Sequence, residues 1–195
     1  MTERRSISLI KPDATALRAL AHPQRLRMLG ILRVNGPATA TSLAARLSMN
    51  TGATSYHLRQ LAKHGFIEED EGRGNARDRW WRARHELTAF PPADENEEAL
   101  DAGIAFAQAA LTAQITQMKS ALARHAELPR EWRLASTVSD YCIPLTAAKA
   151  EALVKRLHAV LDEAMETAPK LGGSYEPDIQ PVTFILHAFL HPPED

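Results

Sequence analysis

Eight of the eleven residues from Asn50 to Gln60 carry a hydrogen-bonding side chain: Asn50, Thr51, Thr54, Ser55, Tyr56, His57, Arg59 and Gln60. Gly52 and Ala53 among them are small enough for close backbone approach. Such a set suits a polyanion whose edges can be read. Arg59 can grip guanine and Gln60 adenine through paired hydrogen bonds, while Thr51, Thr54 and Ser55 suit phosphate oxygens. His57 fits a phosphate contact or a packing role equally, and Tyr56 can offer its hydroxyl to a phosphate or its ring to a core. A second cluster, Arg73, Arg77 and Arg79, lies in and beside the stretch Glu71-Gly-Arg-Gly-Asn-Ala-Arg-Asp78. Arginines on a hairpin tip can enter a minor groove or neutralise backbone phosphates. The plain alternatives are a solvated helix face and a loop charged for solubility.

Other chemistries find less support. Gly72-Arg73-Gly74 belongs to the hairpin loop and is no phosphate-binding motif, and no nucleophile–base arrangement has a local signature, so a non-enzyme with no cofactor is expected. Cys142 is the sole cysteine, which excludes an internal disulfide and any thiolate-rich metal site; following Tyr141 in a strand, it is expected to be buried and inert. His187 and His191 are four apart but fall in a strand reading, and His125 and His158 lie on separate helices, so a metal-sensing role is disfavoured.

The elements that would position the first cluster follow from periodicity and punctuation. Asp13 to His22 reads as a short helix capped by Asp13, and Gln24 to Val34 as a second after Pro23. Thr41 is the expected cap of a third helix burying Leu43, Ala44 and Leu47, with Ser48-Met49-Asn50 as the turn. Thr51 to His64 is then a fourth helix, burying Leu58 and Leu61 and stopped by Gly65. Phe66–Asp70 and Arg79–Ala83 are strand candidates about the Gly-containing loop, with Trp80 and Trp81 on opposite faces. Two short helices with a tight turn, then a hairpin, describe a winged helix-turn-helix.

The residues also carry a resemblance. Leu20-Ala-His-Pro-Gln-Arg-Leu-Arg-Met-Leu29 and Ser55-Tyr-His-Leu-Arg-Gln-Leu-Ala-Lys-His-Gly-Phe-Ile67 resemble the opening motif and the recognition helix of ArsR-type winged helix-turn-helix regulators, across about residues 13–88. Arg79-Trp-Trp-Arg-Ala-Arg-His-Glu-Leu-Thr88 resembles the wing and exit strand of actinobacterial-type members. The resemblance implies double-stranded DNA as partner, a homodimer, and a transcriptional repressor acting through helix 51–64 and wing 71–79. It implies nothing specific for residues 93–195.

That second half is chemically different. Residues 1–88 hold 15 Lys and Arg against 8 Asp and Glu, and residues 89–195 hold 8 against 16, so the formal net charge of −1 conceals +7 and −8. The basic half is the one suited to a polyanion. Pro91-Pro92 marks the boundary, giving a DNA-binding domain over 1–92 and a C-terminal domain over 93–195. Asp94 to Glu127 reads as a long helix whose apolar residues Leu100, Ile104, Ala107, Leu111, Ile115, Met118 and Leu122 recur every three or four positions. This stripe needs cover, from a dimer partner or from its own core. Beyond it, a strand over Glu131–Ile143, a helix capped by Thr146 running to Ala168 and a strand over Pro181–Leu190 are expected. Trp132, Tyr141, Tyr175, Phe184 and Phe189 would fill its core or line a cavity for an organic small-molecule effector. The fold class expected is α+β, mainly α: the winged module, the long dimerisation helix and a small helix–strand–helix–strand module. Homodimerisation is set against a protein-interaction module whose helix docks on another chain. No apolar run approaches the ~18 residues that cross a bilayer, and the start lacks a signal-like apolar stretch, so a soluble cytoplasmic protein is expected.

Overall fold

A computed structural model of the chain describes residues 4–73, 79–89, 97–173 and 175–192. These residues divide into two compact units. One comprises Ser6–Ile115 with Pro169–Pro181; the other comprises Met1–Arg5, Thr116–Ala168 and Val182–Asp195. The Pro91-Pro92 boundary expected from the sequence lies outside the described residues.

In the first unit, α1 (Ala14–Leu20) starts where Asp13 accepts the Ala16 amide at 2.7 Å. α2 (Pro23–Asn35) starts on His22, whose Nδ1 accepts the Gln24 amide, with Pro23 occupying the position where its missing N–H costs nothing. A short strand, β2 (Ala38–Thr39), follows. α3 (Ala40–Leu47) is capped by Thr39 and not, as expected, by Thr41: the Thr39 side chain takes the Ser42 amide while Ser42 returns the bond to Thr39. That reciprocal capping box satisfies two orphan amides and starts the helix earlier. α3 ends at Ser48 in the left-handed region, and α4 (Thr51–Lys63) begins three residues later. Gly65, at φ +75°, turns the chain into β3 (Ile67–Glu69).

β3 pairs antiparallel with β4 (Trp80–Ala83), which pairs on its other edge with β2. The two-stranded hairpin expected is therefore the larger part of a three-stranded sheet. Trp81 is buried and Trp80 only partly so, in keeping with the alternation expected of a strand. A separate parallel pair joins β1 (Leu9–Ile10) to β5 (Leu87–Thr88). Leu17, Leu20, Met28, Leu29, Leu43, Leu58, Leu61 and Phe66 form the core, with Ala102 and Phe106 of a long helix, α5 (Glu97–Ala123), packed into it.

The second unit departs from its expected form. Residues Arg130–Ala135 form a helix, α6, in place of the strand. Arg-Glu-Trp-Arg-Leu-Ala are mostly good helix formers behind Pro129, and Trp132, Leu134 and Val138 at even offsets were too few to specify a strand. Residues 136–145 and 180–190 lie outside helix and strand, and neither has a hydrogen-bonded strand partner among the described residues. Cys142 is exposed, not buried. Tyr141, Phe184 and Phe189 are exposed as well, so they neither fill a core nor line a cavity in the single chain. α7 (Ala147–Thr167) forms as expected, capped by Thr146 onto the Lys149 amide, yet buries no residue. Among the described residues, no helix is long and apolar enough to cross a membrane.

Candidate nucleic-acid interface

α4 is anchored by three residues on one side, Thr54, Leu58 and Leu61, all buried in the core of the first unit. The opposite side carries Gly52, Tyr56, Arg59 and Lys63, all exposed, with Ser55 and Gln60 half-buried at its flanks. Their spacing of four, three and four residues places them on one helical face. Lys63 was missed in the sequence; its position four residues after Arg59 was the available signal. The face bears two cations and no carboxylate.

Three expected contact residues have other duties. Asn50 is exposed, but its Oδ1 caps α4 by accepting the Ala53 amide at 2.7 Å. A bidentate grip on adenine needs both the oxygen and the nitrogen of the amide in one plane, so the cap competes with such a grip for the orientation of the Asn50 amide. Thr54 is fully buried, and its hydroxyl donates to the Asn50 carbonyl at 3.0 Å, so the expected phosphate contact is corrected to a core role. Thr51, at the first turn, is exposed and open to a phosphate. His57 is half-buried with its ring 4.6 Å from that of His22, and Tyr56 stands edge-on to it at 5.6 Å. Burial first holds both histidines below the ordinary value of 6.5; the charge of Arg25 adds to it at His22, and the charges of His22 and then Arg25 add to it at His57. The His57 ring thus packs α4 against the start of α2.

The hairpin is less basic than its arginines suggested. Arg73 pairs with Asp70 at 3.5 Å and Arg79 with Glu69 at 3.1 Å, while Arg79 also sits 5.7 Å over the Trp81 ring. Arg82 and Arg84 both reach Glu68. All four guanidiniums stay mostly exposed, so these pairs hold them with little energy and leave them free to re-pair. Arg77 lies outside the described residues.

The stripe on α5 divides the helix sharply. Ala102, Phe106 and Ala109 face the core, whereas Leu100, Ile104, Ala107, Leu111, Ile115, Met118 and Leu122 are all exposed, Leu100 at 43% and Leu122 at 68%. The own-core alternative is thus met by a different set of residues on the opposite face. Among the described residues no group of three or more His, Cys, Asp or Glu is placed to hold a metal ion.

Comparison with known proteins places this geometry. The helix-turn-helix domain family matches residues 20–70. The HTH-type transcriptional regulator NmtR of Mycobacterium tuberculosis is 44% identical over 57 residues, 29% of this chain and 47% of that protein. Residues 20–70 are a helix-turn-helix domain by this match, in agreement with the α3–α4 geometry. The chain spans about half the length of that curated relative. Among solved structures, the homodimeric winged helix-turn-helix DNA-binding domain of Mb0332 from Mycobacterium bovis is 24% identical, covering 52% of this chain and 80% of that one, with a TM-score of 0.34. Reduced HlyU from Vibrio cholerae is 20% identical over 51% of this chain and 82% of its own, with a TM-score of 0.31. The matched helix-turn-helix domain takes in α2, α3, α4 and β3, and residues after 70 lie outside the family match.

Proposed function

We propose that the chain is a sequence-specific, homodimeric transcriptional regulator that represses by occupying a pseudo-palindromic operator. The observation that carries this reading is the two-sided α4: a buried side that fixes its position and an exposed side of Tyr56, Arg59 and Lys63 with flanking Ser55 and Gln60. A helix so mounted fits the major groove, which admits an α-helix and exposes distinct donor and acceptor patterns. Arg59 and Gln60 are its base readers; Thr51, Ser55, Tyr56 and Lys63 hold phosphates, with Arg73, Arg77 and Arg79 of the wing neutralising the flanking backbone. The exposed stripe of α5 supports a second copy as its cover, and the half-sites read by the two α4 helices of such a dimer would lie about 34 Å apart on successive turns of DNA.

The test is selection of genomic fragments by the purified full chain, followed by gel shift and sedimentation. A palindromic consensus bound by a dimer is the expected result. Binding that ignores sequence, or a chain that sediments as a monomer at micromolar concentration, overturns the reading. Repression is checked by a promoter fusion, in which deletion of the regulator raises expression.

A further inference from the structure

The first unit contains a cavity of about 200 Å³ that the DNA-reading face does not use. It lies between the C-terminal end of α2, the β4–β5 connection and the loop around Lys170 and Gly172. That loop brings its backbone against the end of α2: a Cβ on Gly36 would fall 2.9 Å from the Gly172 carbonyl oxygen, and one on Gly172 would fall 2.9 Å from the Gly36 Cα. Both glycines adopt positive φ, 81° and 80°, where a side chain is strained in any case. The Gly172 amide donates to the Tyr175 hydroxyl at 3.0 Å, fixing the loop further. The wall is therefore shaped by two glycines that let the chain close over the end of α2.

The charges lining this cavity do not balance. Arg82 and Arg84 share Glu68, Asp70 pairs with Arg73, and Glu86 accepts the Ser8 amide. Arg33 donates from Nε to the His85 carbonyl at 2.9 Å and from Nη2 to the Thr88 hydroxyl at 2.8 Å, both neutral acceptors. No carboxylate lies within ion-pair distance of Arg33 or of Lys170 among the described residues. Burial alone brings the Arg33 guanidinium down to about 10, as expected of a cation taken from water without a counter-charge. A buried charge without its partner is costly, and a ligand that supplies the missing charge recovers that cost.

We propose that this cavity binds a small organic carboxylate, with Arg33 and Lys170 as its counter-ions. The volume lies below the roughly 300–1,000 Å³ of sites for drug-sized ligands, so the ligand is a compact acid of few carbons. The planar guanidinium matches a carboxylate, and the lysine adds a point charge from the loop. Because β4 leads directly from the wing into this wall, occupancy would bias the hairpin that flanks α4; this consequence rests on the DNA-binding reading, whereas the binding itself does not.

The test is thermal unfolding of the full chain with acetate, succinate, benzoate or inorganic phosphate, against potassium chloride at equal ionic strength. A carboxylate at about ten times its Kd raises Tm by about 3–5 °C over the chloride control. Lys170→Gln, on an exposed loop, weakens that affinity about fivefold while leaving the unliganded Tm in place. Arg33→Lys weakens it further, and the lysine variant carries the test if Arg33→Lys fails to fold. The proposal is overturned if no carboxylate exceeds the chloride control, if phosphate does as well as the best carboxylate, or if Lys170→Gln binds unchanged. A gel shift of operator DNA with the same acid then reports regulation separately, so loss of DNA binding does not erase a positive Tm result.

Discussion

Asn50→Ala separates a residue that reads DNA from one that builds the reader. In the folded chain the Asn50 Oδ1 accepts the Ala53 amide at 2.7 Å, satisfying one of the four amides that α4 leaves unpaired at its start. Removal of such a cap costs about 1 kcal/mol, which for a chain of this length lowers Tm by about 2–4 °C. Asn50→Asp keeps the cap and gains from the helix dipole, so its Tm stays near that of the parent. The same aspartate sets a negative charge where α4 would meet phosphates, so it weakens binding to all sequences alike. The assay pairs thermal unfolding by circular dichroism with gel shifts on an operator and a scrambled duplex. Asn50→Ala should lower Tm while keeping the ratio of operator to scrambled affinity. An unchanged Tm with loss of that ratio would refute the capping argument and return Asn50 to the base-reading set.

The other expectations concern α4, α5 and the histidine pair. Arg59→Ala with Gln60→Ala should lower the operator-to-scrambled ratio by about 1–3 kcal/mol per lost base contact, whereas equal loss on both duplexes would remove their reading role. Lys63→Ala should lessen the log–log salt slope by about 0.9, and Arg73→Ala by less because Asp70 already engages it; unchanged slopes would take both off the phosphate list. Leu111→Glu with Ile115→Glu alters residues 46% and 40% exposed in the single chain, so the subunit should stay folded. Across two copies those four side chains account for about 3–6 kcal/mol, a factor of roughly 10²–10⁴ in dimer Kd by sedimentation, and an intact dimer would exclude this stripe as its seam. His22 and His57 titrate below the ordinary 6.5, so well above that pH both states hold them neutral and the pair adds no pH dependence to stability. As pH falls below 6.5 the unfolded chain takes up protons first and stability declines; His57→Phe should flatten that decline, and an unaltered profile would place the titration elsewhere.

The reading helix was legible because its signals are local and agree. Asn50 can cap, Leu58 and Leu61 recur at helical spacing, Gly65 ends the run, and each does so within the range of a helix's own hydrogen bonds. What was not legible were exchanges among neighbours of the same type. Thr39 and Thr41 both qualify as caps, and only the reciprocal bond with Ser42 decides for Thr39. Thr54 and Ser55 both looked like hydroxyls for phosphates, yet the buried arc of α4 takes in Thr54 and binds its hydroxyl back to Asn50. The carboxylates of the hairpin, Glu68, Glu69 and Asp70, are visible in the sequence, but their pairing with its arginines depends on strand register.

The second half fails for a deeper reason than ambiguity of type. Apolar alternation predicts that a surface is covered, and it is silent on which chain covers it. Val182, Phe184 and Leu186 alternate as a strand should, yet Val182 is 54% and Phe184 71% exposed. Backbone amides in an extended run must pair with a neighbour or with water, and an apolar run that pairs only with water has no reason to be apolar. The same holds for α5, where Phe106 satisfies the stripe's demand for an internal core from the opposite face. These segments obey the rules of buried structure without the single chain burying them. A periodicity that the single chain leaves unmet is therefore evidence about assembly, and under the proposed homodimer the second half is to be judged in the pair of chains and not in the single domain.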